Sequence, residues 1–237
     1  MNRSFSPSSR GRLTNRDLGR FPGGTLFDRL ARAVCQAGCL PRKELYEAWE
    51  VARRVRRLFR GGRIVDLGGG HGLLAQALLI LDDTSPCALV VDTELPASAV
   101  KLRAVLAETW PRLEGRVEYI AAGLDTVVLC SSDLVVSSHA CGSLTDVVLG
   151  LAAAAQARVA VLPCCHHLKT GDAGGLSGWV DRAAAIDIVR ARRLAGRGYR
   201  IWTQTIPAEI TPKNRLLLGA PGPAASCEAG GDPASPS

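Results

Sequence analysis

Four glycines packed around one histidine, directly after an apolar run that carries an acid, constrain this chain more than any other feature: Ile64-Val65-Asp66-Leu67-Gly68-Gly69-Gly70-His71-Gly72. Glycines at 68, 70 and 72 permit a sharp strand-to-helix turn and let backbone approach a bound molecule closely, since no Cβ intervenes. The residues from Leu73 to Leu79 read as a buried helix, so the turn feeds a helix N-terminus. Asp66 sits where a carboxylate would face the ligand. Ala88-Leu89-Val90-Val91-Asp92 is a second apolar run ending in an acid, 20 residues beyond Gly72, the separation at which a carboxylate clasps ribose hydroxyls. Turn and acids together describe a cradle for a nucleoside-bearing small molecule.

Around this cradle the periodicity alternates. Helical patterns cover 26–37 and 42–59. Strands at 63–67, 87–92, 116–121, 133–138 and 159–163 are interleaved with helices at 72–82, 97–108, 144–157 and 177–196. Two further strands, 199–206 and 214–219, follow without a helix between them. The fold class expected is α/β: a mostly parallel seven-stranded sheet covered on both faces, closed by a C-terminal antiparallel hairpin. Residues 25–220 form one domain; 1–24, rich in serine and arginine, and 221–237, rich in Pro, Gly, Ala and Ser, read as disordered tails.

The net charge of +7 comes from arginine, because only four of the 29 basic residues are lysines. Such a balance is compatible with RNA as partner, and arginines 53, 54, 56, 57 and 60 cluster on one predicted helix. Eight cysteines occur singly or in uneven clusters with no cleavable apolar leader ahead of them, which points to a reducing cytoplasmic setting. No run reaches the roughly eighteen apolar residues of a membrane span, because Gln156 and Arg158 break the most apolar stretch.

Two segments carry further chemistry. The strand at 133–138 leads into Ser138-His139-Ala140-Cys141-Gly142, and ligands of open α/β sheets bind beyond the carboxyl ends of strands. His139 is therefore the candidate proton acceptor, its imidazole titrating near neutrality. The strand at 159–163 leads to Pro163-Cys164-Cys165-His166-His167 at the same rim, and His166 is the second proton-handling candidate. Adjacent residues on an extended strand point to opposite sides, so these four side chains cannot all ligate one metal. No metal is expected; the zinc set left open combines Cys35 and Cys39, four apart on one helix face, with Cys164 and His167.

The glycine loop fits two cofactor classes. Read from Gly70, Gly-x-Gly-x-x-Ala matches a nicotinamide pattern, but that register buries Asp66 without a partner, at a cost. Read from Asp66, the string is D-x-G-x-G-x-G, which resembles the first motif of class I S-adenosylmethionine-dependent methyltransferases. Together with Ser138-His139-Ala140-Cys141-Gly142, Thr145-Asp146 and Pro163-Cys164-Cys165-His166, it resembles a narrower group. That group holds the CHHC-finger tRNA 2′-O-methyltransferases and methyltransferase-like proteins related to rRNA adenine dimethylases.

The resemblance spans about residues 40 to 220 and implies a Rossmann-like class I methyltransferase fold, S-adenosylmethionine as cofactor and RNA as acceptor. It implies that Asp66, Gly68, Gly70 and Gly72 hold the methionine part, Asp92 the ribose and Asp125 the adenine edge. No N-P-P-Y-like tetrapeptide accompanies these motifs, so the resemblance does not extend to methylation of an exocyclic adenine amine. Protein or a small molecule are the other acceptors, and an NAD(P)-dependent oxidoreductase and a non-catalytic binding module are the alternative functions.

Overall fold

The computed structural model describes residues 5–222. Helices α1 (Leu26–Ala37) and α2 (Arg42–Leu58) lead into β1 (Ile64–Leu67), α3 (Leu73–Leu81), β2 (Ala88–Asp92), α4 (Ser98–Thr109), β3 (Val117–Ala121) and β4 (Leu134–Ser137). Then come α5 (Ser143–Ala154), β5 (Arg158–Val161), α6 (Arg182–Ala195), β6 (Tyr199–Thr205) and β7 (Arg215–Pro221). The seven strands form one sheet in the order β3-β2-β1-β4-β5-β7-β6. The first five run parallel, and β7 pairs antiparallel with both β5 and β6. The sheet is the one expected, hairpin included.

Alternation of side chains explains why the central strands read as unbroken apolar runs. Ile64, Val90, Val136, Ala160 and Leu218 pack into a core shared with α1, α2, α3 and α4. Their neighbours Val65, Leu67, Val91, Val135 and Val161 face the opposite way, into a core with α5 and α6. Helix α3 is apolar on nearly every side because it is buried from Leu73 to Ile80. Strand succession reverses between β1 and β4, so the loops after these two strands open a crevice at the middle of the carboxyl edge.

Residues 5–24, expected to be a disordered tail, are ordered instead. Helix α2 is preceded by Pro41, which offers no side chain to cap the first amides. The preceding segment supplies the acceptors: Arg42 N–H donates to the Gly11 carbonyl and Lys43 N–H to that of Ser9, each at 3.0 Å. Leu13 is fully buried, Phe21 nearly so, and the Arg42 guanidinium lies 3.4 Å from the Phe5 ring centroid. A capping box between Thr14 and Asp17 starts a short 3₁₀ turn over Asn15–Arg20. The remaining tail positions, 1–4 and 223–237, lie outside the described residues.

The arginines of α2 are mostly structural. Arg56 is buried, bonded to the Leu78 carbonyl and Ser85 Oγ with Asp82 3.3 Å away, while Arg53 and Arg54 pair with Glu50. Among the described residues, no helix is long and apolar enough to cross a membrane. Leu13→Ala removes a wholly buried side chain from the segment that caps α2, and is expected to cost about 2–4 kcal/mol in a urea unfolding titration.

Candidate active site

Three left-handed glycines shape the turn after β1: Gly68, Gly70 and Gly72 have φ of 69°, 51° and 72°. Each faces something different. A Cβ on Gly72 would lie 2.7 Å from the Tyr119 hydroxyl, whereas one on Gly70 would meet nothing within 4 Å. Gly72 therefore closes the loop onto the protein, and Gly70 leaves the backbone open to a ligand. The Tyr119 hydroxyl donates to the His71 carbonyl at 3.0 Å and accepts from Gln76 Nε2 at 3.1 Å. His71 Nε2 and Ser98 Oγ are 2.8 Å apart, tying the loop to the start of α4.

The Gly70 amide donates to Asp92 Oδ2 at 3.0 Å, so the acid ending β2 is bound directly to the glycine turn after β1. Asp92 is half-buried, and among the described residues its Oδ1 accepts only from Thr93 Oγ1, at 3.5 Å. Asp125 stands exposed on a 3₁₀ turn (Leu124–Thr126) just past β3, on the same edge of the sheet.

Asp66 is placed differently from expectation. It lies beneath the turn, 1% exposed, with Gly69 packed over its carboxyl group and Oδ1 unpartnered. Register explains this: Asp66 pairs in the ladder with Val90 and Val136 and shares their face, toward α3 rather than toward the crevice. Burial pushes its pKa up to about 7, opposed by a backbone amide of Ala75 and reinforced by the charge of Asp92. The cost that argued against a buried Asp66 is real, and protonation reduces it.

A cavity of about 140 Å³ opens between this loop and α2, lined by Gly69, Gly70, His71, Glu44, Ser138 and His139 among others. Glu44 carries no sequence signal, because it sits in an ordinary amphipathic helix. Its pKa is raised, by burial first and by Glu47 second, against the pull of Lys43. His139 is exposed and lines this cavity. Its pKa is lowered, chiefly by desolvation and then by Lys43, with Asp92 opposing. Gly68 packs on the His139–Ala140 backbone, since a Cβ on it would lie 3.7 Å from the Ala140 nitrogen and 4.0 Å from the His139 carbonyl carbon.

Beyond β5 the second histidine takes another part. His166 Nε2 bonds Asp187 Oδ1 at 2.7 Å, and Asp187 also pairs with Arg190 at 3.3 Å and Arg215 at 2.8 Å. Arg190, itself buried, grips both oxygens of Asp146 and the Gly142 carbonyl at 2.7 Å. His166 thus belongs to a network that fastens the loop after β4 to that after β5. His167 is exposed and lies against Gly142, where a Cβ would be 2.4 Å from its ring.

The zinc set of Cys35, Cys39, Cys164 and His167 is not brought together. Cys35, on α1, and Cys39, just past its end, are buried in the core, and burial raises the Cys35 thiol to about 11. Among the described residues, the one group with metal-ligand spacing is Cys141, Cys164 and Cys165, with sulfurs within 4.8 Å of one another. The strict alternation of a strand does not govern Cys164 and Cys165, because β5 ends at Val161 and their sulfurs converge with that of Cys141.

A family model described as "Methyltransferase domain" matches residues 43–170. An O-methyltransferase family protein from Burkholderia thailandensis superposes with a TM-score of 0.52 at 19% identity, over 90% of this chain and 65% of that one. The S-adenosylmethionine-dependent methyltransferase SibL gives 0.49 at 21% identity, over 90% and 66%. TrmK of M. capricolum gives 0.46 at 13%, over 73% and 67%. The chain thus spans about two-thirds of the length of these structures. No curated protein matches it.

Asp66 yields a pH signature. A carboxyl whose folded pKa is raised favours folding fully below its unfolded value, and this contribution is lost as pH rises toward the folded pKa. Between about pH 4 and pH 7 the native chain should lose stability relative to Asp66→Asn, by on the order of 4 kcal/mol in all, and level off above neutrality. Paired urea titrations across that range measure the difference.

Proposed function

Because the chain belongs to the methyltransferase-domain family, we propose that it is an S-adenosylmethionine-dependent methyltransferase whose acceptor is RNA. The observation that carries the cofactor reading is the bond from the Gly70 amide to Asp92 Oδ2, which joins an open glycine turn to the carboxylate ending the next strand. A ligand lying along the carboxyl edge meets, in order, the cavity, Asp92 and Asp125.

The residues present fit this cofactor. Gly70 leaves room for close approach, and Asp92 keeps one carboxylate oxygen for ribose hydroxyls. Glu44 offers a carboxylate to an ammonium group in the cavity, the part expected of Asp66; Asp66 supports the turn from below. Asp125 is the hydrogen-bond acceptor for the adenine amino group. The cofactor supplies a methyl group already activated on sulfonium, so orientation of the acceptor provides most of the acceleration. His139, at the mouth of the crevice, is positioned to take the proton that the acceptor atom releases. His166 acts through Asp187 and Arg190 to hold the loop that carries His139 and Cys141.

Three features support RNA: the narrower resemblance of the Ser138–Gly142 and Pro163–His166 segments, the net charge of +7, and Trp179. This ring is 89% exposed in the loop between β5 and α6, a face on which a base can stack. Tritiated methyl transfer into fractionated RNA, protein and metabolites should label RNA; label confined to another fraction overturns the acceptor assignment.

Calorimetry with S-adenosylmethionine should show binding that Asp92→Ala weakens by at least tenfold, and absence of any binding overturns the cofactor. His139→Ala should leave that affinity within about twofold and lower turnover by roughly 10²–10⁴-fold. Unchanged turnover removes His139 from proton transfer.

A further inference from the structure

We propose that Cys141, Cys164 and Cys165 form a three-thiolate site for a thiophilic divalent cation of the zinc class, with the fourth coordination position open to solvent. This inference does not rest on the methyltransferase reading. It rests on where the fold brings three sulfurs that are far apart in sequence.

Cys141 lies in the loop after β4, and Cys164 with Cys165 in the segment after β5. Parallel pairing of β4 with β5, in the register Ser137↔Val161, brings these two segments side by side. The Gly142 amide donates to the Cys165 carbonyl at 3.2 Å, and Arg190 holds the Gly142 carbonyl and Asp146, so the frame behind the thiols is fixed. Cys141 Sγ lies 2.7 Å from Cys164 Sγ, and all three sulfurs fall within 4.8 Å of one another. A tetrahedral centre with metal–sulfur bonds of about 2.3 Å sets its sulfurs roughly 3.8 Å apart, so side-chain adjustments on the order of 1 Å seat the ion.

The charge around the cluster suits an anionic centre. Three thiolates and one divalent cation sum to −1, and Lys213 Nζ stands 3.6 Å from Cys165 Sγ. Helix α5, twelve residues long, begins two residues after Cys141 and directs its positive end toward the same place. Binding displaces the three thiol protons to solvent and forms three metal–sulfur bonds. Cys141 is exposed and the other two are half-buried, so a small ligand can complete the coordination sphere. The ion would clip the His139 loop to the end of β5, in addition to the Arg190 network.

The test uses the full chain, freshly reduced and freed of metal, titrated with cobalt(II) and then with zinc(II). Binding of one equivalent of cobalt should produce intense thiolate-to-metal charge-transfer absorption, which zinc then displaces. Cys141→Ser, whose side chain is exposed, should fold normally by circular dichroism. It should weaken cobalt binding by more than the roughly 10–100-fold that loss of an outer-shell partner costs. Cys165→Ser should do the same, whereas Cys130→Ser, an exposed thiol outside the group, should bind as the native chain does. No charge-transfer band in the reduced native chain overturns the proposal. So does a band that survives the triple serine variant, or one that Cys130→Ser abolishes.

Discussion

Parallel pairing of β1 with a neighbour on each side is the constraint on which the site depends. Ile64, Val65 and Leu67 are fully buried, each worth about 1.5–3 kcal/mol of apolar burial, and they pack alternately into two separate cores. A slip of one residue would exchange those faces and turn Asp66 toward α5. Because the register is fixed in this way, the ends of β1, β2 and β4 are level and their loops meet. The bond from Gly70 to Asp92 and the packing of Gly68 on the His139–Ala140 segment both follow from that alignment.

Two buried acids show how differently the same carboxyl can be used. Asp133, at the start of β4, accepts both arms of Arg63, at 3.1 and 2.7 Å. Although burial acts against it, that bidentate partner and the Cys130 amide hold its pKa below the usual range. Asp66, at the other end of the adjacent strand, has no cation and one unpartnered oxygen. The first fastens the amino edge of the sheet; the second leaves an unsatisfied group under the functional turn, where a change in the loop above alters its environment.

Strand and helix positions were readable in the chain because parallel strands covered on both faces leave unbroken apolar runs, and the glycine turn has few structural solutions. The positions of Asp92 and His139 at the carboxyl edge followed from strand ends alone. Other features depended on partners remote in sequence. Residues 5–24 have no apolar periodicity, yet they order because α2 is preceded by a proline and needs outside carbonyls. The arginines of α2 look like a basic patch, but Arg56 is buried against Asp82 and Ser85. Glu44 gains its place only when α2 folds over the turn, and Cys164 with Cys165 lie past the end of β5, which spans four residues.

The carbonyls of Ser9 and Gly11 that complete the first turn of α2 lie a few residues from Glu44, on the wall of the crevice. Order in the leading segment therefore supports the start of the helix that forms one wall of the crevice. Whatever peels that segment away leaves the first amides of α2 without those acceptors.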